Sequence, residues 1–307
     1  MKILDDAVVR ATPVGGMIDC LAETFGRGGV TTPLRSVHKL DGGGLYLMPS
    51  WSDGAIVVKL ATFVAENPAR GIPAVQGIVL LIDRDTGSPI AAAEAGIVTN
   101  LRTAAVSALA SRHLSRTDSR HLLLFGAGSL APYLVQAHCH ARPIERVSIW
   151  SRNSAKASEL AKTLSEELHD VEFRGVEDVD AVVPMADIIS CATNAPQPLL
   201  RGDLLTPGTH VDLVGAHSPA TREADSAVIA RASIWIDTDA ARAEAGDLII
   251  PLAEGAIQPD RIVGDLEMLC RETARGRIDD AEITVFKSVG AAIEDLAAMQ
   301  HIARLTG

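Results

Sequence analysis

The sequence predicts an α/β protein with a doubly wound parallel sheet. The chain has 307 residues, of which 47% are apolar and 3% aromatic, which is enough for two domains and typical of helices packed closely on a sheet. From His121 onward, short apolar runs alternate with helical patterns, and this order predicts parallel strands joined by helices on both faces of the sheet. The first run leads directly into the glycine-containing turn Gly126-Ala127-Gly128, as expected where the first strand of such a sheet meets its helix.

The first hundred residues have a different pattern, in which short β-like runs alternate with glycine and proline, as in a meander or an α+β unit. The polar segment from Asp83 to Ser88 predicts a hairpin turn. A helix is expected to begin at Thr99, with Thr99 or Asn100 as its N-cap. The strands of this part are expected at residues 45–48, 55–64, 77–82 and 89–93.

The parallel sheet is expected to follow a polar stretch at residues 112–120, which suits a domain boundary. A final helix is predicted from Ala291 to Arg304, and it could return to the N-terminal domain. The clearest internal helix is residues 155–168, and the strands are expected at residues 121–125, 146–150, 171–173, 187–193, 210–214, 233–237 and 282–287.

The turn after residue 125 has the residue types that a dinucleotide-binding unit needs. Gly126 permits the tight turn, Gly128 lets a pyrophosphate approach the backbone, and Ala131 is small enough for the helix to pack on the strand. Ordinary strand-to-helix turns also contain glycine, so this turn alone is weak evidence for a cofactor.

The end of the second strand of this unit indicates which dinucleotide is preferred. Enzymes that use NAD usually carry an acidic residue here to bind the ribose 2′-hydroxyl, whereas this chain has Ser151, Arg152 and Asn153. Because an arginine can bind a 2′-phosphate through charge-assisted hydrogen bonds, we predict NADP(H) over NAD(H). The alternative is that Arg152 is only a solvated loop residue.

Four further residues are candidates for substrate chemistry. Lys59 lies in a strand that is apolar on both sides, where burial would lower its pKa, although a lysine at a sheet edge can instead reach solvent. Arg102 is expected in the first turn of its helix, where an arginine and the helix N-terminus together suit a carboxylate, unless it is simply exposed. Arg35 carries less signal by itself. His217 is expected at the carboxyl end of a strand, where such sheets bind ligands, but a loop histidine is more often only solvated.

Composition excludes several classes of function. The formal net charge of −11 argues against nucleic acid or an anionic membrane as a partner. The four cysteines are far apart, and no grouping of residues predicts a metal site. The N-terminus does not read as a secretory signal, and no apolar run reaches the roughly 20 residues of a membrane span, so we expect a cytoplasmic protein.

The chain resembles the ornithine cyclodeaminase and mu-crystallin family in stretches that span nearly its whole length in the expected order. These stretches are residues 48–51, 59–63, 102–105, 126–128, 149–152, 208–216, 246–248 and 285–290. The resemblance implies a Rossmann domain at residues 113–288 and a discontinuous α+β domain for substrate binding and dimerisation at residues 1–112 and 289–307. It also implies a homodimer.

The same resemblance implies roles for individual residues. Arg35, Lys59 and Arg102 would hold the carboxylate and polar groups of a small imino or amino acid. The cofactor would be lined by Thr103, Gly126, Gly128, Ser129, Leu130, Ser151, Arg152, Asn153, Thr193, Val214 and Ser288.

One departure from the family pattern bears on the reaction. In the family pattern, ornithine cyclodeaminases carry a catalytic aspartate at the position that His217 occupies in this chain. Ketimine reductases of the mu-crystallin type lack this aspartate, as this chain does. We therefore predict reduction of a small cyclic ketimine, Δ1-pyrroline-2-carboxylate or Δ1-piperideine-2-carboxylate, to the cyclic amino acid, with Lys59 and His217 as candidate catalytic residues. The alternatives are an ornithine cyclodeaminase with bound NAD, an alanine-type dehydrogenase, and a protein that binds NADP(H) without catalysis.

Overall fold

A computed structural model describes residues 1–193 and 195–306, with Pro68 described by its backbone alone. The chain divides into two compact units. Unit 1 contains Met1–Thr103 together with the chain from Gly290 onward, and unit 2 contains Ala104–Val289. The first boundary therefore follows residue 103, whereas the sequence placed it after residue 112.

The described residues form strands and helices that we number in chain order. The strands are β1 (Lys2–Leu4), β2 (Ser36–Leu40), β3 (Gly43–Ser52), β4 (Ala55–Val64), β5 (Val75–Asp83), β6 (Pro89–Glu94), β7 (His121–Phe125), β8 (Arg146–Trp150), β9 (Glu172–Val176), β10 (Ile188–Cys191), β11 (His210–Leu213), β12 (Ser233–Ile236), β13 (Ile262–Asp265) and β14 (Thr284–Lys287). The helices are α1 (Asp6–Arg10), α2 (Val14–Arg27), α3 (Ala95–Leu114), α4 (Ala131–Ala141), α5 (Ser154–Glu167), α6 (Ser226–Arg231), α7 (Ala240–Glu244), α8 (Gly246–Ala253), α9 (Leu266–Cys270) and α10 (Ala292–Leu305).

Unit 1 is built on a six-stranded sheet in the order β1-β6-β5-β4-β3-β2. Strands β2 to β6 are antiparallel, and α10 packs against α2 and against β3, β4 and β5. Alternate residues of β4, including Val57 and Lys59, are buried, while their neighbours Val58 and Leu60 are partly or largely exposed. The last helix of the chain thus completes the core of the first hundred residues.

Helix α3 begins four residues earlier than the sequence predicted, at Ala95 rather than Thr99. The carboxylate of Glu94 accepts a hydrogen bond from the Ile97 N–H at 2.8 Å and takes the place of the predicted threonine or asparagine cap. The prediction that Arg102 lies in the first turn is therefore wrong. The helix also continues through the predicted boundary at residues 112–114, because most of its second half is buried.

Unit 2 is built on an eight-stranded sheet in the order β13-β12-β14-β11-β10-β7-β8-β9, with every pairing parallel. The predicted doubly wound parallel sheet is confirmed, and its core is made of apolar residues from these strands. The chain extends from β7 through β8 to β9 on one side and then returns to β10 on the other side of β7. This reversal creates a crevice at the carboxyl ends of β7 and β10, where sheets of this type bind ligands.

Two further observations concern the described part of the chain. None of its helices is both long enough and apolar enough to cross a lipid bilayer. All four cysteines are free thiols.

Candidate active site

Three basic side chains of unit 1 gather at the start of α10. Lys59 extends from β4 and Arg102 from α3, and their exposed fractions are 5% and 3%. The Asp295 carboxylate contacts both: its Oδ1 accepts a hydrogen bond from Arg102 Nε at 3.2 Å, and both oxygens lie 3.4 Å from Lys59 Nζ. Arg35, just before β2, donates to the Gly290 carbonyl at 2.6 Å.

The backbone entering α10 is shaped around these side chains. Gly290 has a φ of +75°, and a Cβ atom there would lie 2.6 Å from Nη1 of Arg102. Glu294 binds the Arg102 guanidinium and also accepts the Ala291 N–H at 3.0 Å. The segment from Gly290 to Asp295 therefore holds Arg35, Lys59 and Arg102 near one another.

The cluster carries groups that can bind a carboxylate. Three basic side chains, Arg35, Lys59 and Arg102, lie with two buried carboxylates, Glu294 and Asp295. Because arginine and lysine form charge-assisted hydrogen bonds with carboxylates, this group of basic side chains suits the carboxylate of an imino or amino acid.

Lys59 is the titratable member of this cluster. Burial lowers the pKa of Lys59 to about 8, although the neighbouring Asp295 favours its charged form. An ammonium group with this pKa gains and loses its proton near neutral pH, as acid/base chemistry requires.

The glycine turn of unit 2 has the geometry of a phosphate-binding turn. Gly126 has a φ of +117°, and a Cβ there would lie 2.5 Å from the Ala192 carbonyl oxygen, so the turn requires glycine. A Cβ on Gly128 would meet no atom within 4 Å, so this side of the turn is open to a ligand. Helix α4 then begins at Ala131 without a side-chain cap, and its first N–H groups favour an anion.

The end of β8 carries no carboxylate in the segment predicted to select the dinucleotide. The Arg152 side chain is exposed. Ser151 Oγ donates to the Asn153 carbonyl at 2.9 Å, and Asn153 Oδ1 accepts from the Lys156 N–H at 3.3 Å and so caps α5. With the open turn at Gly128, these features fit a nicotinamide dinucleotide.

Five further predicted residues lie in two places. Thr193, Val214, His217 and Ser288 follow β10, β11 and β14 at the carboxyl edge of the unit 2 sheet, whereas Thr103 is buried on α3 at the end of unit 1. The His217 side chain is exposed, with Nδ1 3.1 Å from the Gly215 carbonyl. The two candidate catalytic residues, Lys59 and His217, thus belong to different units. Among the described residues, no cluster of histidine, cysteine and acidic side chains could hold a metal ion.

Several buried charged residues near these sites were missed by the sequence predictions. They are Glu223, Asp237, Asp247, Lys287, Glu294 and Asp295. Asp237 accepts hydrogen bonds from Ser288 Oγ at 3.0 Å and the Val289 N–H at 2.8 Å. Lys287 could have been identified from the sequence, because like Lys59 it is a lysine in a mainly apolar strand. The acidic residues could not have been identified in this way, since an acidic residue in a helix or loop is usually solvated.

Comparison with known proteins agrees with this geometry. The sequence profile of the ornithine cyclodeaminase/mu-crystallin family matches residues 13–304. A Delta(1)-pyrroline-2-carboxylate reductase from Colwellia psychrerythraea is 40% identical over 294 residues, covering 93% of each protein. An enzyme of the same name from Paracoccus denitrificans is 42% identical over 259 residues, covering 83% of this chain and 81% of the relative.

A solved structure of a relative has the same fold as this chain. Thermococcus litoralis Delta(1)-pyrroline-2-carboxylate reductase in complex with NADH and L-proline superposes with a TM-score of 0.95 at 31% identity, covering 99% of this chain and 97% of the other. The resemblance inferred from sequence motifs, including the closeness to ketimine reductases, is confirmed. This chain belongs to the ornithine cyclodeaminase/mu-crystallin family.

Proposed function

We propose that this protein is an NAD(P)H-dependent reductase of a small cyclic ketimine, Δ1-pyrroline-2-carboxylate or Δ1-piperideine-2-carboxylate, and that it produces proline or pipecolate. The observation that carries the proposal is the cluster of Arg35, Lys59 and Arg102 at the start of α10, in which Lys59 and Arg102 are buried and share the Asp295 carboxylate. The relatives named as Delta(1)-pyrroline-2-carboxylate reductases support the same substrate class.

In the proposed reaction, Arg35 and Arg102 bind the substrate carboxylate and fix the orientation of the ring. A bound nicotinamide would supply the hydride to the carbon of the C=N bond. The Lys59 ammonium donates a hydrogen bond to the imine nitrogen, so that the carbon becomes more electrophilic, and the proton passes from Lys59 Nζ to that nitrogen as the carbon receives the hydride. The product amine then carries that proton, and His217 is a second candidate for proton exchange. Orientation and placement of charge supply most of the protein's contribution.

The proposed cofactor site uses the carboxyl edge of the unit 2 sheet, with NADP(H) preferred over NAD(H). Arg152 would bind the 2′-phosphate. The segment Ser151-Arg152-Asn153 contains no carboxylate that would repel this phosphate. The other residues proposed to hold the dinucleotide are Thr103, Gly126, Gly128, Ser129, Leu130, Thr193, Val214 and Ser288.

The proposal favours reduction over cyclodeamination because His217 occupies the position of the aspartate that ornithine cyclodeaminases use. An imidazole does not replace a carboxylate that must stay negative while the substrate amine is processed.

We also propose that the protein acts in the cytoplasm as a homodimer.

The function is tested by NADPH oxidation with five- and six-membered cyclic ketimines, measured beside ornithine and alanine. We expect oxidation with at least one ketimine, loss of that activity in Lys59→Met, and full activity in Arg70→Ala, which removes an exposed cation of the same unit. Ammonia release from ornithine without added reductant would instead indicate a cyclodeaminase, and NAD reduction by alanine would indicate an alanine-type dehydrogenase. NADPH binding without any turnover would indicate a binding protein.

A further inference from the structure

Glu223 is a buried carboxylate that has no role in the reaction described above. It lies between β11 and α6, and its side chain is 1% exposed. Its Oε1 accepts hydrogen bonds from the N–H of Thr193 at 2.6 Å and from the hydroxyl of Thr193 at 2.8 Å. Its Oε2 accepts from the N–H groups of Gly215 at 2.6 Å and Ala216 at 3.3 Å. One carboxylate therefore joins two separate loops.

These loops follow the adjacent parallel strands β10 and β11, and they approach each other closely at Gly215. A Cβ atom on Gly215 would lie 2.1 Å from the Thr193 carbonyl oxygen and 2.4 Å from Oε1 of Glu223. A residue larger than glycine does not fit there. The loop at Thr193 also borders the crevice between β7 and β10, since Ala192 contacts Gly126 of the turn.

The backbone of Glu223 is held as firmly as its side chain. Its N–H donates to Asp247 Oδ1 at 2.8 Å, and its carbonyl accepts from Leu199 and Leu200. Asp247 is ion-paired to Lys287, with Oδ2 3.0 Å from Nζ, and both side chains are fully buried. Because Lys287 directly precedes Ser288, this chain of contacts reaches three of the loops proposed to line the cofactor.

On the basis of the proposed dinucleotide site, we propose that Glu223 is a positioning residue that must be ionised to hold the Thr193 and Gly215 loops in the arrangement that receives the cofactor. A carboxylate can accept all four hydrogen bonds. A protonated carboxyl or a glutamine amide turns a donor toward at least one of the loop N–H groups, which are donors themselves. Neutralising Glu223 therefore separates the loops without removing any atom that is proposed to touch the cofactor.

The surroundings of Glu223 place its protonation in the neutral range. Burial raises the pKa of Glu223 to about 7, although the ammonium of Lys287 acts in the opposite direction. Asp247 raises the pKa further, and the Cys191 thiol nearby stays protonated because burial raises its own pKa well above the usual value. A proton on Glu223 thus competes with the cofactor when the pH falls through about 7, and dinucleotide affinity should decrease in that range.

The test is the dissociation constant of NADH, measured by its fluorescence between pH 6 and pH 8.5. NADH is used because NADPH carries a 2′-phosphate that itself titrates at about pH 6. For the wild type, we expect the constant to rise about tenfold from pH 8 to pH 6, as one competing proton requires. For Glu223→Gln, we expect binding at pH 8 that is roughly 10- to 100-fold weaker and no longer depends on pH in this range. Glu223→Asp, which keeps the charge, should regain part of the pH dependence.

The control is Glu267→Gln, which removes an exposed carboxylate of the same unit that pairs with Arg271. It should keep the affinity and the pH profile of the wild type. A folded Glu223→Gln protein with wild-type affinity would overturn the proposal, as would a wild-type constant that is flat between pH 6 and pH 8.5. If Glu223→Gln does not fold, as judged by circular dichroism, the wild-type titration alone decides the question.

Failure of the proposed function has a different signature. A wild type that binds NADH but reduces neither ketimine would contradict the function and leave the role of Glu223 intact. Conversely, normal ketimine reduction with pH-independent NADH affinity would overturn the role of Glu223 and leave the function standing.

Discussion

At the scale of single residues, the structure places opposite charges next to one another in buried surroundings. Lys59 and Arg102 share the Asp295 carboxylate, and all three side chains are buried. A buried charge without a partner costs several kcal/mol, so each member of this cluster depends on the others. Glu294 and Asp295 therefore act as positioning residues for the cations that we propose bind the substrate.

The first prediction concerns the pH dependence of ketimine reduction. The pKa of Lys59 is lowered to about 8, so Lys59 loses its proton, and with it the ability to protonate the imine, as the pH rises through that value. We expect kcat/KM to fall above about pH 8. Asp295 raises the pKa of Lys59, so Asp295→Asn should move this fall to lower pH. The measurement is kcat/KM against pH for both proteins, and an identical alkaline limb in the variant would contradict the prediction.

The second prediction concerns the choice of cofactor. If Arg152 binds the 2′-phosphate, Arg152→Ala should weaken NADPH binding by roughly 10- to 100-fold, since hydrogen bonds to charged groups are worth about 1.5–3 kcal/mol. NADH binding should change little. Arg174→Ala, which removes another exposed arginine of unit 2, is the control. Titrating each protein with both dinucleotides measures the preference, and an unchanged ratio in Arg152→Ala would show that Arg152 is a solvated loop residue.

At the scale of elements, the start of α10 and the turn after β7 both depend on a glycine with positive φ. Gly290 shapes the entry to α10 so that its carbonyl accepts from Arg35 while Arg102 packs against its Cα. Gly126 lets β7 turn into α4 close to the Ala192 carbonyl. In each case glycine adopts a backbone conformation that other residues rarely adopt, and so permits a close approach of neighbouring atoms at an element terminus.

The third prediction separates backbone strain from contact at Gly290. In Gly290→Ala, an alanine at a φ of +75° costs about 1–2 kcal/mol, and its Cβ would also lie 2.6 Å from Arg102 Nη1. Gly87→Ala is a matched control, because Gly87 has a φ of +71° but a Cβ there meets no atom within 4 Å. We expect both variants to lose stability through the positive φ, and Gly290→Ala to lose more because of the added contact with Arg102, as measured by urea unfolding. Only Gly290→Ala should show a raised KM for the ketimine, and equal KM values would contradict a role for this contact.

At the scale of the whole molecule, unit 1 has an apolar sheet surface that its helices, as far as their residues are described, do not cover. The face of β3, β4 and β5 opposite α10 carries partly or largely exposed apolar side chains. They are Leu47, Pro49, Trp51, Ile56, Val58, Leu60, Ile78, Leu80 and Ile82. A contiguous apolar surface of this kind is typical of a protein interface, which supports the proposed homodimer.

The fourth prediction concerns this interface. Leu60 and Ile78 are cross-strand partners on this face and are among its most exposed apolar residues, with exposed fractions of 39% and 45%. We expect the wild type to be a dimer by light scattering coupled to gel filtration, and Leu60→Glu to shift it toward the monomer, because burying an unpaired carboxylate is costly. Ile278→Glu, at an exposed apolar residue of unit 2, should leave the mass unchanged. A wild type that is monomeric at all concentrations tested would contradict the proposal.

The sequence by itself determined the fold class and the family, because both depend on patterns local to the chain. Apolar runs, helical periodicity and the Gly126-Ala127-Gly128 turn are short-range features. Strands β4, β7 and β8 have the bounds that their sequences predicted. The start of α3 was missed because the cap is Glu94, an acid at the end of a strand, and Thr99 offered a more familiar signal.

Only the tertiary structure decided how the charges are arranged. Arg102 was expected to bind an anion at a helix N-terminus, but it lies inside α3 and is held by Glu294 and Asp295, which are more than 190 residues away in the chain. Glu223 likewise joins loops that follow two different strands. Such contacts leave no periodicity in the sequence, since the partners meet only when the sheet is assembled. The free energy of a buried charge depends on those partners, and therefore the sequence identified the basic side chains whereas the fold determined which acids hold them.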